Sequence, residues 1–303
     1  MKPFSAVLLL AVSVCVNTVM AQNAPPPPPN YPPQGQQQPP YYPPPQGQQQ
    51  QAPYYPPQQL EQMVAQIALY PDPLLAQVLT ASTFWNQIPD AAGWARAHSY
   101  LPPDQLSRAI SEDALPWDPS VLALLPFPSV LDIMGGNMAW TQDLGNAVLS
   151  NRAAVMDAIQ DQRSRALSYG YLRTTPQYRV VNAAPGDIEI LPVNPALIYV
   201  PYYDPTVVFY RPRPGFFIGG AITFGPGIGI GVFAPFGWGG ISFGWRTHAI
   251  VVNNRPWERT WVNRGTYVHP YVYQRPRAAT PAPRMEHHEL RDWHGERGRD
   301  ERR

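Results

Sequence analysis

Apolar positions follow a helical period from Leu60 onward. The stripe recurs at positions i, i+3, i+4, i+7 and i+8, and it consists of Leu60, Met63, Val64, Ile67 and Ala68. Pro71 and Pro73 end this predicted helix, because proline lacks the amide that continues the helical ladder. A second helix is predicted to begin at Asp72. Its carboxylate can accept hydrogen bonds from the first free backbone amides, while Pro73 takes the first helical position.

The helical pattern continues to residue 170. The same Asp-Pro start recurs at Asp118, and further helix boundaries are predicted at Pro103, Pro128 and Asn137. A long helix is predicted over Trp140 to Tyr169, with Gly170 as its stop. Its inward-facing positions are Leu144, Val148, Val155, Ile159 and Ala166. About 110 residues of short helices are enough to form one hydrophobic core.

After Thr175 the pattern becomes strand-like. The predicted strands are Arg179 to Asn182, Asp187 to Leu191, Leu197 to Val200 and Val207 to Tyr210. Prolines at 192, 195, 201 and 205 restrict them to short or edge strands. The sequence therefore predicts an α+β fold, in which a bundle of short helices over 60–170 is followed by a small antiparallel meander over 176–210.

A glycine-rich stretch without charged residues runs from Gly215 to Trp245 and contains 11 glycines. From Gly227 to Val232 glycine alternates with branched residues, so one face would be bare backbone that another layer can approach closely. Three interpretations stay open for this stretch: a hairpin packed against the body, a disordered apolar tail, or insertion at a membrane interface.

The two ends of the chain have the composition of targeting and linker segments. Residues 1–21 have the three parts of a secretory signal peptide, with Lys2, an apolar run over Val7 to Val16, and a small-residue cleavage site that ends at Ala21. Cys15 raises the alternative of lipidation, but the residue before a lipidated cysteine is normally small and Val14 is not. Cleavage after Ala21 would leave a mature chain without cysteine.

Low-complexity segments flank the predicted domain. Residues 22–59 are built from Pro, Gln, Gly and Tyr, and we expect them to be a disordered tether. Paired tyrosines that dock a partner are the alternative role for this arm. Residues 278–303 are predicted to be a disordered, charged tail.

Charge is distributed unevenly along the predicted body. Residues 60–169 carry 5 Arg against 11 Asp and Glu, whereas residues 246–277 carry 6 Arg against Glu258 alone. In the second segment Trp257 and Trp261 alternate with the arginines, so it could stack on sugars or lie on anionic lipid headgroups. A surface hairpin with its arginines in solvent is the alternative. Export removes most nucleic acid from consideration.

Five motifs between Leu60 and about Tyr210 resemble a family of exported bacterial proteins, domain of unknown function family 3300. The motifs are Ile67 to Leu79, Trp117 to Val121, Phe127 to Leu131, Trp140 to Gly145, and Ile198 to Pro201 with Tyr203-Asp204-Pro205. The resemblance implies a signal peptide, low-complexity flanks and a Gly- and Trp-rich tail. It implies no activity and no catalytic residue.

Candidate binding residues form three units in which an aromatic side chain stands close to an Asp-Pro pair. These units are Tyr70 with Asp72, Trp117 with Asp118, and Tyr203 with Asp204, and Trp257 and Trp261 join them as candidates. Aromatic rings beside carboxylates are typical of sugar and peptide sites. Asp before Pro is also the ordinary chemistry of a helix cap or turn, which is the favoured interpretation.

No catalytic, metal or cofactor site is predicted. Acid-base catalysis on glycans needs two carboxylates across a cleft, and nothing in the spacing of Glu61, Asp72, Glu112 and Asp113 singles out a pair. His287, His288 and His294 lie in the charged tail, without an i, i+4 pair on an evident helix. A serine nucleophile elbow, a phosphate loop and a dinucleotide fingerprint are all missing.

These patterns favour a non-enzymatic envelope interaction or scaffold protein in the periplasm or at the cell surface, without a membrane span after signal removal. Its expected partner is an envelope protein, a cell-wall polymer or an anionic membrane surface. The alternative is a hydrolase that acts on envelope glycan or peptide through carboxylates of the helical part. A deep cleft with convergent carboxylates would favour the hydrolase.

Overall fold

The computed structural model describes residues 51–184, 186–212, 220–252 and 254–269. They belong to one compact unit that begins at Gln51. The predictions for the signal peptide, for residues 22–50 of the arm and for the charged tail lie outside these residues. Residues just before the predicted boundary at residue 60 contact the helical part. Tyr55 in the expected linker donates a hydrogen bond to Oδ1 of Asp143 at 3.2 Å.

Short helices dominate the first part of the body. They are α1 (Pro57–Val64), α2 (Asp72–Ser82), α3 (Ile88–Ala97), α4 (Pro103–Glu112), α5 (Pro119–Leu122), α6 (Pro128–Gly136) and α7 (Met138–Ser168). Every one of these helices except α7 has proline in its first turn, where the missing amide costs no hydrogen bond. The predicted boundaries at Pro103, Pro128 and Asn137 are confirmed.

The long helix α7 is interrupted once. Asn151 has φ −152° and ψ 78°, and its side chain accepts a hydrogen bond from the amide of Ala154 at 3.1 Å. Asn151 therefore caps the second half of α7. The five inward-facing positions predicted for this helix are all buried, and Gly170 follows its end with φ +80°.

Helices α2 and α7 are in close backbone contact at Gly145. A Cβ atom at this position would lie 2.1 Å from the carbonyl oxygen of Ser82. Only glycine allows the two backbones to pack at this distance.

Small antiparallel sheets follow the helices, which confirms the α+β class. Strand β1 (Tyr178–Ala184) forms a hairpin with β2 (Asp187–Pro192), with Val180 opposite Ile190. The next strands are β3 (Leu197–Ile198) and β4 (Pro201–Tyr203), followed by helix α8 (Pro205–Val208). The later strands are β5 (Ile222–Phe224), β6 (Ile228–Gly229), β7 (Ile241–Gly244), β8 (Ala249–Val252) and β9 (Arg255–Pro256).

The strands do not pair as the single meander predicted over 176–210. β3 pairs with β6, β4 pairs with β5, and β7, β8 and β9 form a separate three-stranded sheet. Strand β2 ends at Pro192 and Pro195 follows before β3 begins, so β3 does not continue the hairpin. The strand predicted over Val207 to Tyr210 is also wrong, because α8 begins at Pro205.

The glycine-rich stretch is part of the core in the residues that the structure describes. Phe233, Phe236 and Trp238 are buried, and the indole N–H of Trp238 donates to the carbonyl of Ala123 at 2.8 Å. Gly227 lies against the Tyr199 ring, which a Cβ would approach to 2.7 Å. Of the three interpretations, packing against the body is therefore confirmed. The buried rings are not exposed for insertion at an interface, and the predicted domain boundary at residue 210 falls inside this packed body.

Within the described part of the chain, we find no helix with both the length and the apolar character needed to cross a bilayer.

Candidate functional site

Asp72 lies in a buried ion pair instead of capping its helix. Its Oδ1 is 2.8 Å from Nη1 of Arg163, and its Oδ2 accepts the indole N–H of Trp245 at 2.9 Å. The helix cap predicted for Asp72 is wrong, because Pro71 occupies the cap position and Asp72 is already the first helical residue. Its carboxylate therefore lies against α7 and does not bind the amides of its own helix.

The guanidinium of Arg163 joins distant parts of the chain. It donates to the carbonyls of Ala68 at 2.8 Å, Tyr70 at 2.9 Å and Ile188 at 2.7 Å. Its Cζ also lies 4.8 Å from the centre of the Trp245 ring. With Asp72 and these carbonyls as acceptors, a fully buried charge has the partners that it needs. The network links the α1–α2 turn, α7, β2 and the turn after β7.

The position of Arg163 on α7 is a signal for this network in the sequence. Arg163 follows Ile159 by four positions and precedes Ala166 by three, so it lies on the buried stripe of α7. A charged residue on an apolar stripe requires a buried partner, and the acidic residues of the helical part were the candidates.

Tyr70 and Tyr203 lie close to the same network. The Tyr203 hydroxyl donates to the carbonyl of Ala65 at 2.9 Å and accepts from the amide of Leu69 at 3.2 Å. Burial raises the pKa of both tyrosines well above the ordinary value. Both side chains therefore stay neutral, and the Tyr203 hydroxyl holds the α1–α2 turn in place.

Asp204 caps helix α8, as the favoured interpretation predicted. Its Oδ1 accepts from the amide of Thr206 at 2.8 Å and from the Thr206 hydroxyl at 2.7 Å. These hydrogen bonds stabilise the ionised carboxylate and lower the pKa of Asp204.

Asp118 caps α5 in a buried setting. Its Oδ1 accepts from the amide of Ser120 at 2.9 Å and lies 3.8 Å from Nε2 of His269. Burial raises the pKa of Asp118, while His269, Ser120 and Arg259 oppose that shift. The neighbouring Trp117 is half-buried.

The Arg and aromatic stretch packs on the break in α7. Trp257 is fully buried, with the Arg152 guanidinium 4.7 Å from its ring centre. The amide of Trp261 donates at 2.8 Å to the carbonyl of Leu149, just before the break. Nη1 of Arg259 donates to the carbonyl of Thr83 at 2.7 Å. The prediction of a hairpin with solvated arginines is therefore wrong for Arg259, and Trp257 presents no exposed ring for stacking.

The predicted site residues thus fall into separate groups. One group, with Tyr70, Asp72 and Tyr203, surrounds Arg163. A second group consists of Asp118 and the stretch that begins at Trp257. The guanidinium of Arg259, in that stretch, acts electrostatically on Asp118. Asp204 stands on its own as a helix cap.

A groove that these residues did not indicate lies beside the Arg163 network. Its volume is about 370 Å³, and its walls come from α7, the β1–β2 turn and the turn after β7. Helix α7 contributes Asp157, Asp161 and Ser164, which share one helical face. Asp187 lies on the second wall. The third wall consists of Trp245, Arg246 and His248.

The third wall of the groove is held from both sides. Trp245 is tied to Asp72, and Nε2 of His248 lies 2.8 Å from Oδ1 of Asp157 on α7. His248 has φ +49°, an uncommon backbone conformation for a residue other than glycine. The groove is therefore preformed by contacts that reach the protein core.

The α7 side of the groove carries two carboxylates, Asp157 and Asp161. Partial burial raises the pKa of Asp161, and the neighbouring carboxylates of Glu61 and Asp157 raise it further, against an opposing effect of Arg165. Glu61 is itself paired with Arg165 at 2.7 Å. A cation bound in the groove would therefore lower the electrostatic repulsion between Asp161 and the neighbouring carboxylates.

Comparison with known proteins places the chain in a family. A sequence model of the family described as "Protein of unknown function (DUF3300)" matches residues 56–275. The chain belongs to the DUF3300 family. The resemblance drawn from the five motifs is therefore confirmed. The DUF3300 match continues past Tyr210 through the glycine-rich stretch, in agreement with the strand pairing of β3 and β4.

One relative is the "Uncharacterized protein YacH" of Escherichia coli (strain K12). It is 34% identical over 181 residues, which is 50% of this chain and 29% of YacH. The matched region thus spans less than a third of that relative. No solved structure matches the chain.

The carboxylates first considered for catalysis do not form the groove of this DUF3300 protein. Glu61 pairs with Arg165, Asp72 pairs with Arg163, and Asp113 accepts the indole N–H of Trp94 at 2.7 Å. Glu112 is exposed at the end of α4. In the part of the chain that the structure covers, no cluster of three or more His, Cys, Asp or Glu side chains could hold a metal ion. The histidines at 287, 288 and 294 lie outside that part.

A second cavity of the DUF3300 body is much smaller. It lies between Leu69, Tyr178, Ile190 and Phe224 and has a volume of about 60 Å³. This is roughly the volume of two water molecules in the liquid. The groove on α7 is several times larger and is therefore the better candidate site.

Proposed function

We propose that this DUF3300 protein is an exported, non-enzymatic envelope protein that binds a partner through the groove on α7. The observation that carries the proposal is an open groove of about 370 Å³ with charged side chains on all three walls. A volume of this size lies within the range of small-molecule and side-chain sites, roughly 300–1,000 Å³.

The fixed position of the third wall of the groove supports a binding role. The third wall is fixed to Asp72 through Trp245 and to α7 through His248. A preformed site loses little conformational entropy on binding, so even a modest set of contacts gives measurable affinity.

The sequence of residues 1–21 supports export. A basic Lys2, the apolar run from Val7 and the small residue Ala21 are the parts that a signal peptidase recognises. Mass spectrometry of the protein purified from cells should give Gln22 as the first residue. A chain that keeps its signal segment, or one that begins at a lipidated Cys15, would contradict plain export.

The charge of the groove narrows the choice of partner. An envelope protein, a cell-wall polymer and an anionic membrane surface are the three candidates. Asp157, Asp161 and Asp187 would repel anionic headgroups, so this face fits a protein or polymer that carries basic groups.

Crosslinking in intact cells tests the proposed function. Cys15 is the only cysteine of the chain, so a Ser164→Cys variant places a single reactive thiol of the mature protein on the groove. Ser99→Cys, at an exposed position after α3, is the matched control. With a short thiol-directed photocrosslinker, we expect a discrete adduct from position 164 and none from position 99. Equal labelling at both positions, or no adduct at position 164, would overturn a binding role for the groove.

A hydrolase is the second candidate, and one observation favours it. Asp161 has a raised pKa and shares the groove with Asp157, an arrangement that general acid catalysis can use. The mature protein should then release soluble fragments from isolated cell wall, and Asp161→Asn should abolish that release. Intact cell wall after prolonged incubation would leave binding as the function.

A further inference from the structure

We propose that the groove recognises a protonated primary amine, held between Asp161 on α7 and Asp187 at the start of β2. The inference rests on the proposed binding function and names the ligand chemistry of the same site. The amine belongs either to a free small molecule or to a side chain of a peptide or polymer.

Two carboxylates from different elements line the groove without a salt bridge among the described residues, although Arg165 partly offsets the negative charge around Asp161. Asp157 is 2.8 Å from His248, but neither Asp161 nor Asp187 forms an ion pair with another described residue. Both line the same groove. An ammonium group has three donors, so it can bind carboxylates on two walls at once.

The balance of charge favours a cation. Among the described residues that line it, the groove has three carboxylates and one permanent cation, Arg246, while His248 is engaged by Asp157. Glu61 and Asp157 add to the negative field at Asp161. A positively charged ligand lowers the repulsion among these groups, and an anion would increase it.

The size and shape of the groove favour an amine on a methylene chain over a bare ion. The volume of about 370 Å³ has room for a methylene chain, and Trp245 lines the third wall as an aromatic side chain against which methylene groups can pack. Arg246 is exposed at the third wall, where it can meet a carboxylate of the same ligand. We therefore expect a molecule with both groups to bind more tightly than a simple diamine.

Titration calorimetry with the mature full-length chain tests this inference. The probes are cadaverine, Nα-acetyl-lysine, which carries one amine and one carboxylate, and 1,5-pentanediol as the uncharged analogue. We expect both amines to bind, Nα-acetyl-lysine more tightly, and the diol to give no heat of binding. Tighter binding of cadaverine than of Nα-acetyl-lysine would assign the site to free diamines. If neither amine gives a heat of binding, the proposal is overturned.

Variants that neutralise one carboxylate distinguish a specific amine site from general electrostatic attraction to an acidic surface. Asp161→Asn and Asp187→Asn should each weaken amine binding at least about tenfold, the effect of losing one charge-assisted hydrogen bond. Asp104→Asn removes the same charge from the exposed face of α4 and should leave the affinity unchanged. Equal weakening in all three variants would show non-specific binding and overturn the proposal.

The two proposals fail in different ways. If Ser164→Cys captures a partner while neither amine binds, the groove keeps its function and the amine assignment is wrong. If position 164 captures nothing and the amines do not bind, the proposed function itself is wrong.

Discussion

The indole N–H of Trp245 donates to Oδ2 of Asp72 at 2.9 Å, across 173 positions of the chain. The same carboxylate pairs with Arg163, whose guanidinium lies over the Trp245 ring. Because this contact is buried, it joins the segment after the glycine-rich stretch to the start of α2. We infer that the helical part and the later strands unfold as one cooperative body.

Replacing Asp72 by Asn distinguishes a buried ion pair from a helix cap. Asn caps a helix as well as Asp does, so a capping role predicts almost no change. Loss of the charge leaves Arg163 buried without its counter-ion, which should cost about 3–5 kcal/mol of unfolding free energy. Chemical denaturation of the purified variant measures the difference.

Asp204→Asn is the matched control for that substitution. Asp204 also precedes a proline, but it caps α8 at an exposed position. We expect this variant to unfold at nearly the same denaturant concentration as the wild type, because Asn also caps a helix. Similar stability for both Asn variants would contradict the ion pair at Asp72.

Gly145→Ala should be strongly destabilising. The new Cβ would lie 2.1 Å from a backbone oxygen of α2, so the two helices must move apart. We expect a loss of about 3 kcal/mol or more from this overpacking. Gly93→Ala in α3 is the control, because a Cβ there meets no heavy atom within 4 Å. That variant should gain up to about 1 kcal/mol of stability, and a neutral Gly145→Ala variant would contradict the helix contact.

Local signals in the sequence predicted several helix boundaries, although the cap at Asp72 and the strand over Val207 to Tyr210 were wrong. Proline and the capping residues Asn137, Asp118 and Asp204 act on the next few amides, so their effect can be read without the fold. The inward-facing stripe of α7 was also predicted, because its period of 3.6 persists over many turns. The break at Asn151 was missed because the apolar stripe continues on both sides of it.

Long-range pairing could not be predicted in the same way. Strands β3 and β6 have two residues each. An alternating apolar and polar pattern cannot be recognised over two residues, so it cannot indicate which strands pair. The groove was missed for a related reason, since its walls come from α7, the β1–β2 turn and the turn after β7. Only the stripe position of Arg163 indicated that a buried acid from elsewhere must reach α7.

The stability of the protein should depend on the charge of Asp118. Burial raises the pKa of this carboxyl above its ordinary value of 3.8, so the folded state keeps a proton that the unfolded chain has lost. The resulting contribution to stability is complete below about pH 4 and is lost as the pH rises through the raised pKa.

Asp118→Asn removes this titration and keeps a capping side chain. The free energy of unfolding of the variant, measured by denaturation at several pH values, should rise relative to the wild type as the pH increases from about 4. A difference between the two proteins that is constant with pH would contradict the raised pKa.

Trp257 should contribute to the core instead of to a binding surface. Its side chain is fully buried beneath Arg152, so Trp257→Ala should cost about 3–5 kcal/mol. Val262→Ala in the same segment changes a side chain that is 92% exposed and should leave the melting temperature unchanged. If the Trp257→Ala variant has the melting temperature of the wild type, the structural role is contradicted and the ring is again a candidate contact with a partner.

The central claim is that the segment around Trp245 is locked to the helical body and forms the third wall of the groove. Hydrogen exchange of the Trp245 indole N–H, assigned by NMR with a Trp245→Phe variant, tests it most directly. We predict exchange at least about a thousandfold slower than in the unfolded chain, because opening requires global unfolding. Asp72→Asn should remove much of this protection. Rapid exchange of the Trp245 indole N–H in the wild-type protein would contradict the claim.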